Sequence, residues 1–138
     1  MTMVFGAGLV AAMGAHGAEG FPYEVVGALV GSGDRLDRAV RLENENETLP
    51  ERRYDVGPKQ IAAVERSAMR EGLGILGFYH THPDHPAVPS ETDIGHAVPG
   101  YLYAILSVMA GEPAALTLWR LADSGDRMEP VPYVIEEI

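Results

Sequence analysis

The chain contains no cysteine in its 138 residues. This absence excludes disulfide bonds, a thiol nucleophile and any metal site built from thiolates. It is compatible with a reducing compartment, and we expect a cytoplasmic protein. The apolar stretch over residues 5–15 is not preceded by Lys or Arg, so it lacks the basic start of a signal peptide.

Basic residues are also scarce, and long apolar runs are missing. The chain has 10 Lys and Arg residues against 20 Asp and Glu residues, a formal net charge of -10 at pH 7. Because nucleic acid binding depends on cations that neutralise phosphates, we expect no nucleic acid partner. No run approaches the ~20 apolar residues that a membrane-spanning helix needs, and we expect no membrane association. The acidity serves solubility or provides a face that steers a basic partner.

The remaining composition, 46% hydrophobic and 22% charged, is typical of one globular domain of this length. Hydrophobic periodicity predicts an α+β fold, a mostly β sheet with helices over residues 4–17, 58–72 and 90–98. Strands are predicted over residues 24–31, 37–42, 52–56, 73–79, 101–109, 114–121 and 128–135. The continuous apolar run 73–79 indicates a central strand that is covered on both faces.

Two histidines follow this central strand at a spacing of two residues. Because strand side chains alternate, His80 and His82 point to the same side, with Cα atoms about 6.6–7 Å apart. Their imidazoles can therefore converge on one metal ion. Pro83 is expected to stop the strand pairing, which would leave the metal at an accessible end of the sheet.

A third ligand is expected from the next element. Ser90 and Asp93 lie three residues apart, on one face of the first turn of a helix. Two imidazoles and one carboxylate suit Zn²⁺, and a fourth position left to water makes such a site catalytic. The reaction also needs a proton carrier that does not bind the metal. Glu24 is the candidate, because an acid at the mouth of an apolar strand is costly unless something uses or neutralises it.

These residues follow a known spacing. The chain reads HTH at 80–82, seven residues over 83–89, and SETD at 90–93, with PYEVVGALVG upstream at 22–31. The pattern resembles the JAMM, or MPN-plus, metalloprotease family, whose signature is an upstream glutamate, His-Ser/Thr-His, seven intervening residues of which the first is Pro, and Ser-x-x-Asp.

The resemblance implies a single JAMM/MPN-plus metalloprotease domain over residues 1–138. Its fold would be MPN, that is JAB1/MPN-like and cytidine-deaminase-like, with a mixed, mostly antiparallel β-sheet flanked by helices. His80, His82 and Asp93 would bind one zinc ion, Glu24 would act as general acid/base, and Ser90 would stabilise the oxyanion. The implied activity is hydrolysis of an amide or isopeptide bond at the C-terminal tail of a ubiquitin-like or sulfur-carrier protein.

Other interpretations remain open from the residues alone. The histidines could be structural, and Ser-x-x-Asp is close to a helix capping box. His-x-His-x-Asp-His at 80–85 also fits the metallo-β-lactamase fold, but that fold needs more downstream histidines and a longer chain. A two-histidine, one-carboxylate iron site would give Glu24 no role. The chain could also be a non-catalytic MPN-type interaction module or another single-metal hydrolase. Nothing in the sequence indicates the oligomeric state.

Overall fold

A computed structural model describes residues 1–138 as one eight-stranded sheet with three helices. The elements in chain order are β1 (Met3–Phe5), α1 (Leu9–Gly20), β2 (Val26–Ser32), β3 (Arg35–Leu42), α2 (Pro58–Met69), β4 (Gly74–Pro83), α3 (Glu91–His96), β5 (Leu102–Met109), β6 (Glu112–Leu121), β7 (Met128–Pro130) and β8 (Tyr133–Ile135). None of the helices has the length and apolar character required to cross a lipid bilayer.

The sheet has the strand order β7-β6-β5-β4-β2-β3-β1-β8 and is mostly antiparallel, as predicted. Only β1–β3, β1–β8 and β4–β5 are parallel pairs. β7 and β8 lie at opposite ends of this order, although only Val131 and Pro132 separate them in the chain. The sheet must therefore curl until its two ends approach each other. Backbone bonds from Val131 N to Leu118 O (2.8 Å) and from Met3 N to Pro132 O (3.0 Å) fasten this closure.

Two apolar cores lie on the two faces of the sheet. The larger one is inside the curl, where Leu9 and Met13 of α1 pack against buried side chains of β1 to β6. The smaller one lies under α2, where Val64 and Ala68 cover Val26, Ala28, Val30, Phe78 and Tyr103. Alternation along β4 therefore puts Phe78, His80 and His82 on the face that α2 covers, and Tyr79 and Thr81 on the face of α1.

Three predicted elements differ from the structure. Residues 3–5 form β1 instead of the start of a helix, because parallel pairing with β3 and β8 outweighs local helix propensity there. The predicted strand 52–56 is wrong: Asn44 supplies side-chain hydrogen bonds to Asp55 N and Arg53 O, so this segment is a loop. The predicted strand 128–135 is divided into β7 and β8 at Val131–Pro132.

Strand pairing ends at Pro83, the last residue of β4, as expected, but the pairing includes Pro83 itself. Antiparallel pairing with β2 ends at His80, but parallel pairing with β5 continues to Pro83, opposite Val108. The ladder needs no N–H from Pro83, because the bond at this point runs from Asp84 N to Val108 O (2.8 Å). His80 and His82 consequently remain within β4, where His80 pairs with Val26, the first residue of β2, and His82 lies beyond that strand.

Candidate metal centre

His80, His82 and Asp93 form a buried cluster, as the sequence predicted. Their ligand atoms all lie within 4.8 Å of one another, the arrangement required to hold a metal ion. His80 Nε2 is 3.2 Å from His82 Nε2, and the two Asp93 oxygens lie 3.1 Å and 3.0 Å from the two histidines. Ligands on a tetrahedral ion with bonds of about 2.0–2.1 Å are separated by roughly 3.3 Å, so the observed spacing fits zinc geometry.

The orientation of His82 is fixed by the chain that follows β4. Its Nδ1 lies 2.8 Å from the carbonyl oxygen of Pro86. A carbonyl can only accept, so Nδ1 carries a proton and donates it, and Nε2 is the ring nitrogen that faces the cluster. Burial lowers the pKa of His82, but its hydrogen bonds to Asp93 and to Pro86 outweigh burial and raise it.

His80 is held by packing. The ring of Tyr54 lies against it with centroids 4.6 Å apart and planes tilted by 32°. His80 is fully buried, and its Nδ1 has no hydrogen-bond partner. Burial lowers the pKa of this imidazole, which keeps it neutral at pH 7, the form that can bind a metal.

Asp93 belongs to a capping box that begins α3. Ser90 Oγ accepts from Asp93 N (3.0 Å), and Asp93 Oδ2 accepts from Ser90 N (2.9 Å). Ser-x-x-Asp therefore does form a helix capping box, and Asp93 belongs to the cluster as well. Burial acts to raise the pKa of Asp93, but hydrogen bonds from His80, His82 and Ser90 hold it far below its usual range, so the carboxylate is ionised.

Glu24 is a buried acid on the same side as the cluster. Its side chain is 5% exposed, and its Oε1 has no hydrogen-bond partner. Burial raises the pKa of Glu24 from 4.5 to about 8; His82 opposes this shift and Asp93 adds to it. A carboxyl group with a pKa near neutrality can both accept and donate a proton, which is the requirement for a general acid/base.

The backbone of Glu24 is held from two sides. Glu24 N donates to Pro50 O (2.8 Å), and its carbonyl accepts from Asn44 Nδ2 (3.1 Å). The next residue, Val25, is fixed to β4 because Thr81 Oγ1 accepts from Val25 N (2.9 Å) and Thr81 N donates to Val25 O (3.1 Å). These contacts set Glu24 beside the end of β4 that carries His82.

A cleft of about 450 Å³ opens at the cluster and is lined by Glu24, Glu51, Arg52, His82, His85, Pro86, Val88 and Ser90. The Ser90 hydroxyl accepts from Asp93 N, so its own proton is free to be donated into the cleft. His85 is exposed and lies at the rim of the cleft. Asp84 is exposed and accepts from Ala110 N (2.7 Å) away from the cluster, an arrangement that the metallo-β-lactamase interpretation does not fit.

Sequence analysis missed several residues that shape the site. Arg52 and Tyr54 lie within the wrongly predicted strand 52–56, and Glu51 and the Pro86 carbonyl carry no local signal. They reach the site because two irregular segments, residues 43–57 and 84–90, fold over the end of the sheet. Only the long-range contacts of these segments reveal this placement.

A family model described as prokaryotic homologs of the JAB domain matches residues 6–122. The chain is 35% identical over 88 residues to the desampylase of Haloferax volcanii, which covers 62% of the chain and 63% of that protein. It is 34% identical over 90 residues to a probable TtuB-protein conjugate cleaving protease of Thermus thermophilus, covering 65% of the chain and 60% of that protein. The chain thus spans less than two-thirds of either relative.

Solved structures share the fold over nearly the whole chain. A solution structure of a protein from Desulfitobacterium hafniense matches with a TM-score of 0.84 and 24% identity, covering 99% of this chain and 94% of that one. A crystal structure of a JAB1/MPN domain protein from Archaeoglobus fulgidus matches with a TM-score of 0.63 and 17% identity, covering 96% and 98%.

Proposed function

Because the chain belongs to the prokaryotic homologs of the JAB domain, we propose that it is a zinc metalloprotease that hydrolyses an amide or isopeptide bond. Its JAB1/MPN fold, predicted from the sequence, is confirmed. The observation that carries the proposal is the buried His80, His82 and Asp93 cluster, with the unpartnered carboxyl of Glu24 in the adjoining cleft. We take the whole chain, residues 1–138, as the catalytic domain.

We assign His80, His82 and Asp93 as the ligands of one zinc ion. Two imidazoles and one carboxylate form a donor set that catalytic zinc sites use. A zinc ion held there would act as a Lewis acid on a carbonyl and would lower the pKa of a bound water to about 7. The cleft beside the cluster leaves space for a substrate on the side of Glu24 and Ser90.

Two side chains would move or donate protons. Glu24 accepts a proton from the attacking water and returns it to the departing amine nitrogen, a role that its raised pKa supports. Ser90 donates a hydrogen bond from its free hydroxyl to the oxygen of the scissile carbonyl as negative charge develops there. The capping box supports this role, because it fixes the Ser90 hydroxyl relative to Asp93.

The proposed substrate is the C-terminal tail of a ubiquitin-like or sulfur-carrier protein joined to an amine. The name of the Thermus thermophilus relative states that it cleaves protein conjugates, which supports this substrate class. The cleft is open to solvent on the side of Glu51, Arg52 and Val88, so an extended tail could enter it. A cytoplasmic location stays a prediction from the sequence, and cell fractionation would test it.

The catalytic assignment is tested by Glu24→Gln. The zinc content of the purified variant should equal that of the wild type, because Glu24 is not a ligand. Turnover of a sulfur-carrier conjugate, followed by mass spectrometry, should fall at least ~100-fold, because the proton carrier is lost. A variant that remains fully active would refute the role of Glu24.

The ligand assignment is tested by His82→Ala with His96→Ala as the matched control, since His96 is exposed on α3 outside the cluster. Elemental analysis should find zinc in the control and not in His82→Ala. Turnover that depends on zinc and is abolished by a chelator would separate an enzyme from a non-catalytic interaction module.

A further inference from the structure

The segment between β4 and α3 carries the Pro86 carbonyl that orients His82, and this segment is fastened to β6. Thr117 Oγ1 donates to Ala87 O at 2.6 Å, and Ala87 is 4% exposed. Trp119 Nε1 donates in turn to Thr117 Oγ1 at 2.7 Å. No sequence motif links Thr117 or Trp119 to the cluster, and neither lines the cleft.

The direction of these hydrogen bonds is determined by their chemistry. An indole N–H can only donate, and a carbonyl can only accept. The Thr117 hydroxyl must therefore accept from Trp119 and use its single proton for Ala87 O. The other carbonyl near this hydroxyl, Ile105 O, is farther away at 3.5 Å. Trp119 thus fixes the rotation of the hydroxyl that holds the segment.

Sheet register explains why residues far apart in the chain meet here. His80 pairs with Ile105, and Ile105 pairs with Thr117, so the three lie in one row on the same face. The segment after β4 crosses this face above β5 and reaches β6 at Ala87. Its two consecutive carbonyls then have separate partners: Pro86 O accepts from His82 and from Val88 N, and Ala87 O accepts from Thr117.

We propose that Thr117 and Trp119 are positioning residues for the metal ligand His82, acting through the backbone of Pro86 and Ala87. The inference rests on the proposed function, because it takes His82 as a ligand. Loss of the Thr117 hydroxyl leaves the buried Ala87 carbonyl without its donor, so the segment shifts to find another. The Pro86 carbonyl moves with it and no longer holds the imidazole in the orientation that directs Nε2 to the cluster.

The test compares Thr117→Val, which keeps the shape and removes the hydroxyl, with Thr117→Ser, which keeps the hydroxyl. The dissociation constant for zinc is measured by competition with a chromophoric chelator, using the full chain. We expect Thr117→Val to bind zinc 10–100-fold more weakly, the loss typical of partners that orient a ligand, and Thr117→Ser to bind like the wild type. Circular dichroism of the metal-free proteins should show all of them folded. Equal zinc affinity of Thr117→Val and the wild type would overturn the inference, as would equal weakening in both variants.

Trp119→Phe is a second variant that keeps the ring and removes the N–H. It should weaken zinc binding in the same direction and by a smaller factor, because the Thr117 hydroxyl remains but loses its fixed rotation. An affinity equal to that of the wild type would remove Trp119 from the proposal.

The zinc affinity of His82→Ala, measured in parallel, distinguishes failure of the positioning role from failure of the proposed metal site. If His82→Ala loses zinc and Thr117→Val does not, the positioning role fails and the proposed metal site stands. If His82→Ala also retains the affinity of the wild type, the proposed metal site fails, and the inference fails with it.

Discussion

Glu24 shows how a single residue can be costly for stability and useful for chemistry at the same time. Its side chain is buried, and one carboxyl oxygen has no partner, although the segment around it is tied down by Pro50, Asn44 and Thr81. Burial of an unpartnered carboxyl group disfavours its ionised form. The surrounding backbone contacts therefore keep the carboxyl group in an environment that is unfavourable for it, next to the cluster with which it is proposed to act.

The pKa of Glu24 predicts a pH dependence of stability in the metal-free protein. Below pH 4.5 the residue is protonated in both the folded and the unfolded state and contributes no difference. Between 4.5 and about 8 the unfolded chain ionises while the folded protein keeps the proton, so the wild type loses stability with rising pH. The loss is roughly 1.4 kcal/mol per pH unit and ends above the folded pKa.

Glu24→Gln should lack this loss. Urea unfolding in the presence of a chelator should show the two proteins equally stable near pH 4 and the variant more stable at pH 8. The other titratable groups are common to both proteins and cancel in the difference. A stability difference that does not change with pH would contradict the raised pKa.

At the scale of elements, β2 and β4 bring the site together, and their contact depends on glycine. Gly27 of β2 pairs with Tyr79 of β4, and the tyrosine ring lies across the space where a side chain would stand. That ring is buried, with its hydroxyl 2.8 Å from His16 Nδ1. A side chain at residue 27 would have to displace either the ring or the strand that carries His80.

Gly27→Ala should therefore destabilise the protein by about 1–3 kcal/mol, because the new methyl group overlaps the Tyr79 ring. Gly74→Ala is the matched control. Gly74 is also a strand glycine, but a methyl group there meets open space, and its stability should stay within about 1 kcal/mol of the wild type. The midpoints of urea unfolding would measure both changes, and equal midpoints for the two variants would contradict the close packing of Tyr79 on Gly27.

At the scale of the whole molecule, the site depends on the curled sheet. The C-terminal strands β7 and β8 join opposite ends of the strand order, and Arg35 makes a bidentate ion pair with Glu136 (2.7 Å for each bond) beyond β8. The cluster draws its ligands from β4 and α3, and the segment between them reaches β6. A metal ion bound at that junction would therefore stabilise contacts between several elements and not only one loop.

Zinc binding should raise the thermal stability of the folded chain. At a free zinc concentration 1,000 times the dissociation constant, the gain is about 4 kcal/mol, or roughly 10–15 °C in Tm for a chain of this size. A chelator should lower the Tm of the wild type by this amount and leave the Tm of His82→Ala unchanged. An equal shift of Tm in the wild type and in His82→Ala would mean that the zinc ion binds at another site.

Local spacing allowed much of the site to be predicted from the sequence. The histidines lie two apart in a strand, and Ser90 and Asp93 lie three apart at a helix start, so backbone geometry alone decides which side chains face together. The apolar runs also predicted an α+β fold with a mostly β sheet, and the family resemblance implied that the sheet is mostly antiparallel. The segment 52–56 was predicted wrongly, because its partner is the side chain of Asn44 and not a strand, and apolar periodicity carries no information about such a bond.

The sequence by itself determined which residues form the cluster and which side chains share a direction. His80 and His82 lie in one strand, and Ser90 and Asp93 lie at the start of one helix, so the repeat of the peptide backbone fixes the relative direction within each pair. Only the tertiary structure decided that α3 meets β4, that Glu24 is held unpartnered beside them, and that Thr117 on β6 fastens the segment behind His82. These placements follow from pairing between strands and from hydrogen bonds across long stretches of chain. Their free energies depend on the whole curled sheet, so no local pattern of residues reveals them.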